Sequence, residues 1–154
     1  MSGSSVQRVD PRLMLKSSFH FWYHENIRFS DTDLIGHVNN TAYTAYCESG
    51  RVAFNRVLFG PVHRTDSSTV LARLTVHYLR ESHFPGTVEI GTAIGALGRT
   101  SVTLVQGLFV GGMAVAASEA VIVCIDPESR RPLPLPAMTR TVAVSYVLPD
   151  PGPG

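Results

Sequence analysis

The chain has 154 residues, 44% of them apolar, a length that fits one domain able to bury a hydrophobic core. Its 13 basic and 12 acidic residues give a formal net charge of +1, and the basic residues form no run beyond the pair Arg130 and Arg131. A nucleic-acid-binding protein usually carries a basic stripe, so this charge pattern excludes that class of partner.

Cysteine usage and hydropathy indicate the class of protein. Cys47 and Cys124 form no CxxC pair and no cluster with histidine, so no metal site is expected. Residues 1–18 are polar and lack the apolar core of a signal peptide, and no apolar run approaches the length needed to span a membrane. We therefore expect a cytoplasmic protein with reduced thiols and an N-terminal tail over residues 1–18.

The first predicted element is a strand over residues 19–29. Apolar side chains such as Phe21 and Ile27 alternate with polar ones, and Trp22 is the one break in this period of two. The polar stretch that follows, residues 30–36, contains a glycine and predicts a loop.

A long helix is predicted next, over residues 41–58. Apolar residues recur there at helical spacing. Asn39 or Asn40 is a natural N-cap, and Gly60 followed by Pro61 is a stop signal. The apolar positions spread over much of the helix circumference, which predicts a helix enclosed by other structure.

After a loop over residues 61–68, the chain predicts four more strands. Turn signals separate them at Pro85-Gly86, Gly98-Arg99 and Gly111-Gly112. The predicted strands cover residues 69–80, 87–96, 101–110 and 113–125.

The element order predicts an α+β domain over residues 19–138. One long helix would pack against about five antiparallel strands, the last four of them as a meander. Residues 139–154 are predicted to be a C-terminal tail, with a short edge strand over residues 141–148 as the alternative. A single sheet leaves strand edges and an apolar face, so homo-oligomerisation is expected.

The segment over residues 28–51 concentrates the polar chemistry of the chain. Its loop carries Asp31, Asp33, His37 and two asparagines, and it enters the predicted helix directly. A helix N-terminus offers backbone N–H groups and the positive end of a dipole, which suit polarisation of a carbonyl oxygen. A carboxylate just upstream can act as a nucleophile or general base. The pattern therefore indicates a site for attack on a carbonyl group.

The core of this segment spells D-x-D-x-x-G-H-V-N-N from Asp31 to Asn40, followed by Tyr43 and Glu48 on the helix. This pattern resembles the 4-hydroxybenzoyl-CoA thioesterase family of the hotdog superfamily, and the resemblance covers roughly residues 21–138. It implies a hotdog fold, in which an antiparallel sheet wraps around one long central helix. It also implies hydrolysis of an acyl-CoA to free acid and CoA, with no further cofactor, by a homodimer or homotetramer whose active site crosses the dimer interface.

The resemblance assigns roles to the polar residues of the segment. Asp33 takes the part of the catalytic carboxylate, and a helix N-terminal N–H near Asn40 polarises the thioester oxygen. His37 corresponds to the histidine that plant-type acyl-carrier-protein thioesterases use, and Glu48 is a secondary candidate because other branches act through a helix-borne Glu. Asp31 is expected to be structural, as a loop carboxylate that accepts backbone hydrogen bonds.

Substrate contacts are expected from two places. Asn39 and Tyr43 lie at the start of the helix, and Arg99, Thr100 and Ser101 lie at a strand turn where family members often contact ligand. Three of these residues have a structural alternative: Asn39 as a helix cap, Tyr43 as a core residue and Arg99 as a solvated surface residue.

Three other functions compete with acyl-CoA hydrolysis. The first alternative is a hotdog protein that binds acyl-CoA without hydrolysing it. A plant-type acyl-carrier-protein thioesterase would carry an asparagine where this chain has Ile35. The sequence His83-Phe84-Pro85-Gly86 matches the start of a β-hydroxyacyl dehydratase signature, but here it follows the long helix and falls in a turn between strands.

Overall fold

The computed structural model describes residues 8–61 and 66–152. Residues 1–7 and 153–154 of the predicted tails, and residues 62–65 of the predicted loop, lie outside the described residues. Among the described residues, neither helix combines the length and the apolar character that a membrane crossing requires. The elements are β1 Phe21–Ile27, α1 Asn40–Phe59, β2 Ser68–Tyr78, β3 Gly86–Leu97, β4 Ser101–Val110, β5 Met113–Ile125 and α2 Ala137–Ala143.

The predicted long helix and five strands are confirmed to within two residues at each end. Local sequence determines these bounds. The β4–β5 hairpin turns through Gly111 and Gly112, whose φ angles are 58° and 79°. Two successive positive φ angles define the tight hairpin turn whose twist matches that of the flanking strands, and glycine adopts them without a steric penalty.

The five strands form one antiparallel sheet in the order β1-β3-β4-β5-β2. Only β3, β4 and β5 form a meander, so the prediction of a four-stranded meander was wrong. β1 occupies the outer edge of β3, from Phe21 opposite Thr92 to Ile27 opposite Gly86. β2 therefore lies at the opposite edge of the sheet, where it pairs with β5. A period of two predicts that β2 is a strand, but it does not encode the partner.

Helix α1 packs one face against the sheet. Asn39 caps its first turn, and Gly60 ends it at a φ of 82°. Phe54 on the inner face is fully buried, whereas Val52 and Val57 are 49% and 39% exposed in the single chain. One long helix on a five-stranded antiparallel sheet confirms the α+β class and the hotdog fold that the resemblance implied.

A buried polar network fixes how closely α1 approaches the sheet. The Gln106 Nε2 amide donates to the Cys47 carbonyl in α1 and to Thr92 Oγ1 in β3, each at 3.1 Å. Ser118 Oγ donates to Gln106 Oε1 at 3.0 Å, so both ends of the amide are satisfied. Gly50 makes this approach possible, because a Cβ there would lie 2.8 Å from Gln106 Nε2.

The predicted N-terminal tail is wrong for its described part. Residues Pro11–Met14 and Lys16–Ser18 form two short 3₁₀ turns against the sheet face opposite α1. Leu13 and Phe19 are 5% and 4% exposed. They cover Val105, Phe109 and their apolar neighbours, which would otherwise face water. The centre of this sheet face is therefore not the exposed apolar surface that was expected to drive oligomerisation.

The C-terminal segment is helical where an edge strand was the alternative. Residues 137–146 form α2 and a 3₁₀ turn, and strand-like contact is limited to a bridge and a bond from Leu148 N–H to the Ile94 carbonyl at 2.8 Å. Ala143 is fully buried, and the Tyr146 ring lies 5.3 Å from that of Phe54 on α1. Packing against α1 therefore decides the conformation of this segment, which local periodicity leaves ambiguous.

Candidate active site

The loop before α1 folds back on itself and presents Asp33 to solvent. Thr32 and Val38 form an antiparallel bridge, and Asp33 N–H donates to the His37 carbonyl at 2.9 Å. Gly36 closes the turn at a φ of 85°, a conformation that favours glycine. Asp33 therefore lies at a fixed position on an exposed loop.

The two oxygens of the Asp33 carboxylate have different environments. Oδ1 accepts from the backbone N–H of Ile35 at 2.9 Å and of His37 at 3.2 Å. No described residue donates a hydrogen bond to Oδ2. One oxygen thus orients the carboxylate while the other keeps its lone pairs available for a ligand, a water molecule or a proton.

The N-terminus of α1 offers a free hydrogen-bond donor. Asn39 is the N-cap, and its Oδ1 accepts from Thr41 N–H at 3.0 Å. The Asn39 carbonyl accepts from Ala42 N–H at 2.9 Å. The N–H of Asn40, the first helical residue, has no acceptor among the described residues. This amide is one of the unsatisfied donors of a helix start, where the helix dipole also favours negative charge.

One cleft of about 300 Å³ brings together four of the predicted site residues. Asp33, His37, Asn40 and Tyr43 line it, and Arg80 adds a positive charge. The Tyr43 ring is 3% exposed and its hydroxyl donates to the Arg80 carbonyl at 3.4 Å. The cleft therefore combines a carboxylate, a free helix N-terminal amide, an aromatic wall and a cation.

Asp31 anchors the loop to the helix and has a structural role in this geometry. Its Oδ2 accepts from Arg28 N–H at 2.8 Å and from the Tyr46 hydroxyl at 2.7 Å. Its carbonyl accepts from Asn39 N–H at 2.8 Å. Burial and, second, the hydrogen bond to Asp31 raise the pKa of Tyr46 well above its usual value. Tyr46 therefore stays protonated and remains a donor to the loop.

Replacing Tyr46 with Phe should lower the free energy of unfolding by about 1.5–3 kcal/mol, the typical contribution of a hydrogen bond to a charged group. Urea unfolding followed by circular dichroism measures this change. Tyr23→Phe is the matched control, because Tyr23 is 37% exposed. We expect that control to change stability by less than about 0.5 kcal/mol. Equal stability losses in the two variants would contradict an anchoring role for the Tyr46 hydroxyl.

Glu48 does not share this cleft in the single chain. It is exposed on α1 and lines a different cleft, together with Tyr23 and Val52. Glu48 lies eight positions after Asn40, which corresponds to about 12 Å along a helix axis. The structure therefore separates Glu48 from the helix N-terminal amide.

The turn that carries Arg99, Thr100 and Ser101 lies at the far end of the sheet. It follows the last residue of β3, whereas the Asp33 loop lies near the first, and twelve strand residues span roughly 36 Å. The carbonyls of this turn bond to the C-terminal half: Leu135 N–H donates to Arg99 and Cys124 N–H to Thr100, at 2.9 and 2.8 Å. A single chain does not bring these three residues to the cleft.

The end of β2 and its connection to β3 contribute residues that the sequence did not assign to the site. Tyr78 donates from its hydroxyl to the Asn40 carbonyl at 3.3 Å, and Glu81 lies 3.3 Å from His37 Nε2. His83, taken from the sequence as part of a dehydratase-like motif, pairs through its backbone with His37. The signal available in the sequence was the polar character of residues 80–83 beside a turn, which does not specify a partner.

Known proteins resemble this chain in sequence and in fold. Residues 27–142 match the family described as the thioesterase-like superfamily. The chain is 33% identical over 89 residues to the uncharacterized protein YsmA of Bacillus subtilis (strain 168), over 58% of this chain and 60% of YsmA. The match thus spans three fifths of the length of that relative.

Two solved structures extend the similarity over most of the chain. The PA5185 protein from Pseudomonas aeruginosa strain PAO1 superposes with a TM-score of 0.80 at 25% identity, covering 88% of this chain and 96% of its own. A thioesterase from Thermus thermophilus, solved with coenzyme A and Zn, gives a TM-score of 0.72 at 28% identity. That similarity covers 83% of this chain and 94% of the Thermus protein.

Proposed function

Because the chain belongs to the thioesterase-like superfamily, we propose that it hydrolyses an acyl-CoA thioester to the free acid and CoA. The observation that carries this proposal is the shared cleft of the Asp33 carboxylate and the free N–H of Asn40. Thioester hydrolysis needs both parts: a group that delivers or activates the nucleophile, and a donor that stabilises the oxyanion formed at the carbonyl.

The reaction begins with the thioester oxygen accepting a hydrogen bond from Asn40 N–H at the start of α1. In the general-base route, Asp33 removes a proton from water while the water oxygen bonds to the carbonyl carbon. The tetrahedral oxyanion then collapses, the C–S bond breaks, and the proton held by Asp33 passes to the CoA thiolate. The products are the acid and CoA, and Asp33 returns to its starting state.

Asp33 can also act as the nucleophile on the same geometry. A carboxylate oxygen then bonds to the thioester carbon, and CoA leaves as the thiolate with formation of an acyl–aspartyl anhydride. Water hydrolyses the anhydride and releases the acid. His37 lines the same cleft as Asp33, and we infer that its ring contacts the bound substrate.

Recognition of CoA requires cations for its phosphate groups. Arg80 lines the cleft and is exposed, so it is the first candidate in the same chain. Arg51 on α1, by contrast, is only 5% exposed, so its guanidinium is unsuitable for binding a phosphate in solvent. The relative from Thermus thermophilus with bound coenzyme A supports CoA as the carrier group.

A homodimer would complete the cleft, which is open in one chain. Leu34 and Ile35 flank Asp33 and are exposed, and Phe29 is 76% exposed nearby. These apolar side chains cluster on one loop, and clustered exposed apolar surface is typical of a surface that a second copy covers. The Arg99 turn, remote from Asp33 in its own chain, would then reach a cleft only if a partner chain presents it.

Non-catalytic binding of acyl-CoA is the second candidate function. It is favoured by the hydrogen bonds to Asp33 Oδ1, which accepts from two backbone N–H groups of the residues that follow it in the loop. Asp126 makes the same kind of bonds in another loop, so this arrangement is also found where an aspartate only stabilises a turn. In that case Asp33 would shape the loop and leave the thioester intact.

Free-thiol release from a panel of short, long and aromatic acyl-CoAs separates these functions. We expect the protein to release thiol from at least one class far above the rate of spontaneous hydrolysis, and the best substrate identifies the acyl group. If no acyl-CoA releases thiol, carrier-protein thioesters should be tested in the same assay, and turnover of these alone would identify a carrier-protein thioesterase. Tight acyl-CoA binding with no thiol release from either kind of thioester would establish the non-catalytic alternative.

A further inference from the structure

Three side chains with metal-binding chemistry converge beside the active-site loop. One ring nitrogen of His37, one of His83 and a carboxylate oxygen of Glu81 all lie within 4.8 Å of one another. His37 Nε2 and Glu81 Oε2 are 3.3 Å apart. Ligand atoms of a tetrahedral zinc site with bonds of about 2.0–2.2 Å lie about 3.3–3.6 Å apart. This pair therefore already has the separation of two zinc ligands.

The backbone fixes the two histidines relative to each other. His37 and His83 form an antiparallel bridge, and Val38 N–H donates to the Ser82 carbonyl at 2.8 Å. The two imidazole rings are 5.0 Å apart between centroids, with planes 80° apart. Because both residues belong to paired backbone segments, the Cα atoms that carry the two rings are held close together.

A second contact indicates which nitrogen of His83 is available for a ligand. His83 Nδ1 lies 3.2 Å from the Gly36 carbonyl. A carbonyl can only accept, so this contact favours the neutral tautomer with the proton on Nδ1, in which Nε2 keeps its lone pair. Histidines that bind metal ions generally donate their other ring N–H to a carbonyl or carboxylate in this way, which sets the tautomer and orients the ring.

We propose that His37, Glu81 and His83 bind one divalent transition-metal ion of zinc-like chemistry, with the fourth coordination position open to water. Two imidazoles and one carboxylate are a common ligand set for zinc with an open position, whereas Mg²⁺ and Ca²⁺ prefer oxygen ligands alone. Glu81 is 68% exposed in its side chain, so an ion from solution has access and the carboxylate can adjust to it.

An ordinary ion pair does not account for the group. His37 and Glu81 alone would form such a pair, and the His83 ring would add nothing to it. The pair of His24 and Glu89, 3.6 Å apart, shows this simpler case: no second histidine of the described chain joins it. The sequence alone does not predict the three-residue group, because Glu81 and His83 are distant from His37 along the chain.

The proposed metal site lies at the wall of the candidate active-site cleft. His37 and Glu81 both line the cleft of Asp33 and Asn40. An ion bound there is coordinated by a ring nitrogen of His37 and adds positive charge to the wall of the cleft. The site itself rests on the three side chains and their backbone pairing, so it stands independently of the thioesterase activity.

Titration of chelator-treated protein with Zn²⁺ alone, by calorimetry and by competition with a chromophoric indicator, tests the site. We expect one ion per chain, and a loss of affinity of at least about tenfold in both His83→Ala and Glu81→Gln, since even the outer partners of metal ligands contribute about 10–100-fold. Glu81→Gln alters an exposed side chain, so it keeps the test valid if His83→Ala fails to fold.

His24→Ala is the matched control, because it removes an exposed histidine paired with a glutamate elsewhere on the surface. Its Zn²⁺ affinity should equal that of the unaltered chain. Absence of a stoichiometric ion, or equal affinity in the unaltered chain and in Glu81→Gln, would overturn the proposal. Equal losses in His24→Ala and Glu81→Gln would assign the binding to scattered surface histidines and overturn it as well. None of these readouts depends on turnover.

Discussion

Replacing Asp33 with Asn should lower kcat for thioester hydrolysis by about 10²- to 10⁴-fold, the usual contribution of a positioned general base. The amide oxygen of the new side chain can still accept from Ile35 and His37 N–H, so the loop should keep its conformation. The NH₂ group that replaces Oδ2 can neither accept a proton from water nor attack the thioester carbon. The expected result is therefore a folded protein that binds the acyl-CoA but turns it over very slowly.

Asp126→Asn provides a matched control for this substitution. Asp126 also caps a loop through Oδ1, which accepts from the N–H groups of Glu128 and Ser129. It follows β5, far along the chain from the cleft, so we expect kcat to stay within about twofold of the unaltered protein, as for surface changes away from functional features. Steady-state kinetics on the best acyl-CoA, with melting curves for both variants, makes the comparison. Full activity in Asp33→Asn would show that Asp33 only stabilises its loop and that another group acts as the base or nucleophile.

The elements of this fold could be predicted because their signals are local. Apolar residues repeat every two positions in the strands and at helical spacing in α1, and the chain carries its own stop signals at Gly60 and at Gly111-Gly112. Asn39 was one of two proposed caps, and the structure selects it because its side chain accepts from Thr41 N–H. Each of these features depends on residues within four positions of one another.

The arrangement of the elements could not be predicted in the same way. The position of β2 beside β5 depends on β1 having taken the free edge of β3, which is a contact between strands far apart in sequence. The 3₁₀ turns around Leu13 and the helix α2 form because they cover apolar surface that other segments present. A short segment with weak periodicity takes its conformation from such packing, so its own sequence leaves several structures open.

The candidate site also combines residues that local sequence predicts with residues that only long-range contacts bring together. Asp33, His37, Asn40 and Tyr43 lie on one continuous segment, and the sequence predicted them as a group that the structure places in one cleft. Glu81 and the other residues contributed by the β2–β3 connection reach the cleft only through long-range pairing of the two segments. The Arg99 turn and Glu48, which the resemblance also assigned to the site, lie elsewhere in the single chain.

A proline at position 40 tests the oxyanion donor directly, because Asn40→Pro removes the backbone N–H and leaves the rest of the helix start in place. Proline is well tolerated at the first position of a helix, where the N–H has no intrahelical partner. The preceding residue also permits it: Asn39 has φ −63° and ψ 143°, the extended region that a residue before proline prefers. The change should therefore leave α1 folded while it deletes one donor.

We expect Asn40→Pro to lower kcat by about 10²- to 10³-fold, the typical effect of losing one oxyanion donor. Asn40→Ala is the control, since it removes the side chain but keeps the amide, and it should retain most of the activity. Circular dichroism and melting curves must show both variants folded. Loss of activity in both would assign the contribution to the Asn40 side chain. Full activity in Asn40→Pro would show that another group stabilises the oxyanion, and the helix N-terminus would then lose its role in catalysis.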